Sequence, residues 1–171
     1  LVLVFGGLLP PLIAPSIALL LALLLSIRFV FWKPQVAFRR LDIGIMYLGY
    51  LAIVGQLVLD AIDQLAHPEW LGSLPMHVFT FGAMGLITPA MLIRIANGHT
   101  GRRVIFDRLD KGVLWIMIAG FVCRIIAPQL APALYLYWVG LAAACWFACF
   151  SILGWRYIPY LLRPRVDGKE H

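Results

Sequence analysis

The chain has 171 residues, enough for one ordinary soluble domain or for a handful of membrane spans of about 20 residues each. Its hydrophobic share is 63%, its charged share 13% and its mean hydropathy +0.92, against about 45–50% apolar and about 25% charged in an average soluble domain. Those figures exclude a soluble fold, disorder and a collagen-like chain, and three cysteines in so apolar a chain make no disulfide framework.

In chain order, the sequence opens at Leu1 without an initiator Met or a basic region ahead of an apolar core, so its start is not a readable secretory signal. Residues Leu1 to Leu9 are too few to span a bilayer and read as the end of a helix whose beginning is missing, as expected of a fragment or a truncated gene product. Pro10 and Pro11 suit the start of a first span, Leu12 to Phe31. Further apolar runs predict spans over Leu41 to Ile62, Met76 to Ala96, Gly112 to Ile126 and Ala133 to Trp155, followed by a tail over 156–171. The runs are too long and too uniformly apolar for barrel strands, so the fold class is all-α, a polytopic transmembrane helical bundle in a lipid bilayer.

Charge orients the bundle. Thirteen of the fourteen Lys and Arg residues, from Arg28, Lys33, Arg39 and Arg40 through Arg94, Arg102, Arg103, Arg108 and Lys111 to the tail, fall on one side. The connections around Asp63 to Pro75 and Ala127 to Pro132 hold none, and Arg124 alone sits near that face. The positive-inside rule makes the basic side and the carboxyl terminus cytoplasmic. The net charge of +6 is thereby explained without nucleic acid.

Several polar residues fall within the spans. Gln56 and Asp60 share a helix face with Asp63 one turn further, which reads either as a solvated helix terminus or as a functional group. At helical spacing His77, Phe81, Met84, Thr88 and Met91 form one stripe of the third span, and Gly82, Gly85 and Pro89 another. The glycines permit close approach of a helix or a flat cofactor, and Pro89 predicts a bend. Imidazole suits haem iron or copper and thioether suits Cu(I), while an interfacial histidine with core methionines is the plainer reading. The span ends with Gly98 as the expected helix stop and a tight turn around His99 and Thr100. His77 and His99 lie about 33 Å apart at helical rise, so they cannot share a metal. Arg124 requires a carboxylate partner, Asp60 or a haem propionate, unless it snorkels to the interface. Cys145 and Cys149 read as small buried hydrophobes. No Ser-His-Asp set, phosphate loop or zincin helix is present, and no residues are committed to turnover, which argues against an enzyme.

The segment from His77 to Arg103 resembles the signature of the NnrS family, multispan bacterial membrane proteins associated with nitric oxide and denitrification. The resemblance rests on the histidine opening a span, the Gly82-x-x-Gly85 pair, Met91 and Arg94, and the run Gly98-His99-Thr100-Gly101-Arg102. Arg124, Trp146 and the tail Arg163-Pro164-Arg165-Val166-Asp167-Gly168 extend it, so that it runs from about Arg39 to Gly168. Pro89, Asn97 and Ile93-Arg94 depart from the family pattern.

Family members are about twice this long, with some twelve spans, and bind haem and copper. The resemblance therefore implies haem b and copper in the bacterial cytoplasmic (inner) membrane, with nitric oxide as ligand and this chain as the carboxyl-terminal half. A missing amino-terminal half or a partner subunit would complete the sites. Carried over by residue, it implies His77 and His99 as metal ligands, with Arg94, Arg102 and Arg124 as supporting charges; the stripe on the third span adds Met84 and Met91 as candidate metal ligands, and His77 is the expected axial haem ligand. The alternative is a transporter or permease module in which Gln56, Asp60, Arg94 and the Pro89 bend line a path, with no bound metal. A third reading is an inert fragment whose polar groups only pair with absent helices.

Overall fold

The computed structural model describes residues 12–168; the expected helix end over Leu1 to Leu9, the Pro10-Pro11 start signal and Lys169 lie outside the described residues. Five helices are long and apolar enough to cross a membrane: α1 (Ile13–Phe31), α2 (Leu41–Ala66), α3 (Leu74–His99), α4 (Arg108–Leu130) and α5 (Pro132–Leu161). Every regular element among the described residues is helical. Helices satisfy their own backbone groups, which lipid cannot do for them. A short helix over Pro34–Ala37, entered through Lys33 in the left-handed conformation, turns α1 into α2.

Successive helices run up and down, and α3 is the centre. It packs against α2, α4 and α5, while α1 packs on α2 and α4 on α5. Its apolar window is 44% buried, against 17–28% in the other four. The core joins Ile45 of α2, Leu86, Ala90 and Ile93 of α3, Leu114 and Met117 of α4, and Cys149 and Leu153 of α5. Much of the remaining apolar surface, including Leu20, Leu136, Phe147 and Trp155, faces outward, because the solvent of a membrane span is itself apolar. Glycine permits the closest approaches. A Cβ at Gly82 would lie 2.5 Å from that of Ala52, and one at Gly49 would lie 2.5 Å from Ile87 Cγ1.

Three features differ from expectation. First, α3 is not uniformly α-helical: Val78–Met84 forms a π-helical segment, which widens the turn and breaks the continuous stripe from His77 to Met91. Second, α3 continues through Gly98 to His99, and the left-handed residue that ends the turn is Gly101, at φ +72°. Third, α4 begins at Arg108, four residues before the expected Gly112, because Asp107 and Asp110 form a reciprocal capping box that draws the charged residues into the first turn.

Candidate functional site

The residues singled out from the sequence separate into three places along α3. His77 opens α3 at the end opposite the basic residues, and its Nε2 meets the guanidinium of Arg124 near the end of α4. Arginine has only donors, so His77 must accept through Nε2 and carry its proton on Nδ1. Arg124 also reaches the hydroxyl of Tyr135 at 3.5 Å, with its guanidinium 5.7 Å from that ring. His77 and Arg124 line a cavity of about 240 Å³ with Ser73, Gln129 and Tyr135. The expected pairing of Arg124 with Asp60 does not form: among the described residues no ion pair joins them, because the cation faces His77 and Tyr135 instead.

Arg94, His99 and Arg102 occupy the basic end. Arg94 donates to Asp42 of α2 at 2.9 Å, and Arg40 donates to the same carboxylate at 3.0 Å. The partner of Arg94 is thus a buried aspartate that sequence reasoning left out, although an acid in the first turn of a span beside basic residues was its signal. His99 is exposed and shares a shallow cavity of about 450 Å³ with Arg94, Gly98 and Arg165. Arg102 stacks over Tyr160 of α5, 4.1 Å from the ring centre.

Next to these lies a network absent from the expected site. Tyr157 of α5 donates to Asp110 at 2.7 Å, Asn97 of α3 reaches Tyr157 at 3.4 Å, and Arg156 holds Asp107 at 2.5 Å. The bond from Arg156, with the Asp110 amide, lowers the Asp107 carboxyl below its ordinary value. The tail closes this end: the Val166 amide donates to the Thr100 carbonyl at 3.1 Å, and a Cβ on Gly101 would come within 2.7 Å of the Asp167 carboxylate carbon. The Gly98–Arg102 run and the Arg163–Gly168 tail, far apart in sequence, form one contact.

Met84 lies between the two ends. It lines a lipid-facing apolar groove of about 840 Å³ between α3 and α5, with Phe81, Thr88, Trp146 and Phe150, whereas His77 lines the separate far-end cavity. Met91 is exposed and lines neither. The π-helical segment follows His77 directly and ends at Met84, with Met91 beyond it.

The residues meet the requirements of haem and of copper unequally. One imidazole suffices as a proximal haem ligand. His77 offers one, beside a cation suited to a propionate. The cavity at this pair is smaller than the roughly 300–1,000 Å³ of ordinary ligand pockets, so a porphyrin needs further walls. Among the described residues no three His, Cys, Asp or Glu side chains gather, and His77 and His99 stand at opposite ends of α3, so the two histidines do not share one copper ion.

The model of one protein family, described as NnrS protein, matches residues 1–165. No curated protein and no solved structure matches the chain.

Proposed function

The chain belongs to the NnrS family, and we propose on that footing that this membrane protein of the nitric oxide response holds haem b at the far end of the bundle, with His77 as axial ligand and Arg124 beside it. The observation that carries this reading is the contact between His77 Nε2 and Arg124 at the opening of the most buried helix. It joins a neutral imidazole lone pair to a cation that has no carboxylate partner among the described residues. Bound haem supplies an open iron coordination position for nitric oxide. With haem bound, Arg124 would be the residue to pair with a propionate, and Tyr135 would hold its guanidinium at the cavity. The remaining walls come from an amino-terminal half or a partner subunit, which also supplies the ligands that a copper site requires. In the bacterial inner membrane that this reading takes for the chain, the positive-inside rule supports a cytoplasmic basic end and a haem site near the outer face. Binding of nitric oxide, and through it sensing or protection, is the role in view rather than turnover.

The test is an absorption spectrum, oxidised and dithionite-reduced, of the purified chain beside a version extended at its amino terminus. A Soret band in either form that His77→Ala abolishes is the expected result. A band that survives the substitution unchanged rejects His77 as ligand, and colour in neither form rejects the haem reading.

A further inference from the structure

The basic end gathers more positive charge than its carboxylates balance. Arg40 and Arg94 both bond the single buried carboxylate of Asp42, at 3.0 Å and 2.9 Å. Arg39 and Lys111 line the same cavity as Arg40 and Asp42, a space of about 430 Å³ between the start of α2, the connection before α4 and the first turn of α4. Neither Arg39 nor Lys111 has an ion-pair partner among the described residues. Asp107, one turn before Lys111, and Asp110, immediately before it, are taken by Arg156 at 2.5 Å and 3.6 Å.

The rest of this cavity wall is apolar and open. Ile105, in the connection before α4, is 65% exposed, and Trp115, about two turns into α4, is 59% exposed. Cations next to exposed apolar side chains match a molecule with an anionic head and a greasy body. A free phosphate satisfies only the first half of that chemistry, and a zwitterionic lipid adds an ammonium that Arg39 and Lys111 repel. We propose that this cavity binds the phosphate headgroup of an anionic phospholipid in the leaflet at the basic end. Arg39 and Lys111 clamp the phosphate, Arg40 is held as a third donor by Asp42, and the acyl chains pass Trp115. The site does not depend on the haem reading, since it shares no residue with the far-end cavity.

The experiment is native mass spectrometry of the purified chain in detergent, titrated separately with phosphatidylglycerol, phosphatidylcholine and inorganic phosphate. Phosphatidylglycerol is expected to bind at least tenfold more tightly than phosphatidylcholine, with inorganic phosphate failing to displace it. Arg39→Gln and Lys111→Gln should each weaken the phosphatidylglycerol complex about fivefold. Arg163→Gln, at the same end but outside this cavity, should leave it unchanged. Both replaced side chains are exposed and without an ion-pair partner among the described residues, so the single variants are expected to fold, which a wild-type size-exclusion profile checks. Equal affinity for the two lipids, or variants that bind like wild type, overturns the proposal. Displacement by inorganic phosphate at similar concentration assigns the site to a soluble anion and overturns the lipid.

Discussion

Replacing Gly82 by alanine adds one methyl group where Ala52 of α2 and Phe121 of α4 both press on α3. The new Cβ falls 2.5 Å from the Cβ of Ala52 and 2.8 Å from the ring of Phe121. Carbon atoms settle at about 3.5–4.0 Å, and Ala52 has no rotamer by which to retreat, so α2 and α3 must part by about 1 Å. Overpacking of this kind costs about 1–3 kcal/mol. Gly85, in the same Gly-x-x-Gly pair, provides the internal control. A Cβ there meets Met117 Sδ at 3.5 Å, an ordinary contact, and the exchange of glycine for alanine in a helix gains about 0.5–1 kcal/mol. Unfolding of detergent-purified protein in increasing dodecyl sulfate, followed by circular dichroism, should therefore separate Gly82→Ala from Gly85→Ala by about 1.5–4 kcal/mol, with wild type in between. Equal midpoints for the two variants, or a more stable Gly82→Ala, would refute the glycine-mediated contact.

Other perturbations test the two ends. Asp42→Ala leaves Arg94 without its partner; because the Arg94 side chain remains 31% exposed, the loss is about 1–3 kcal/mol in the same titration, below that of a fully buried broken pair. Tyr157→Phe removes the donor to the buried Asp110 carboxylate and should lower stability by about 1–3 kcal/mol, while Tyr137→Phe, on an exposed side chain, should not. Asp107 is held below its ordinary value of 3.8 by its bond from Arg156. A depressed carboxyl contributes stability that is complete above pH 3.8 and declines as the pH falls through the lowered value. Asp107→Asn should flatten that acid-side decline in melting midpoint, and a decline of unchanged size in the variant would contradict the assignment.

The spans were legible because a run of about 20 apolar residues is dictated by bilayer thickness. Their ends were less so where charge belongs to the helix. Asp110 and Lys111 look like a loop until the capping box with Asp107 draws them into α4. Arg156 looks like a terminus until its bonds to Asp107 and Asp110 show why α5 continues to Leu161. The Gly-x-x-Gly pair was legible as a close contact, but the π-helical turn that carries Gly82 has no sequence signature, and a stripe drawn at 3.6 residues per turn does not survive it. Of the expected site residues, only His77 and Arg124 come into mutual contact at the far end. Arg94 lies on Asp42 and Arg102 on Tyr160, partners contributed by other helices that spacing within α3 could not reveal.

The most direct measurement compares the reduced haem spectra of His77→Ala and His99→Ala, each prepared with any natural upstream sequence or partner subunit. Loss of the Soret band in His77→Ala, its retention in His99→Ala and its return on adding imidazole to a His77→Gly variant are the expected results. A band lost only in His99→Ala would place the haem at the basic end and contradict the far-end site.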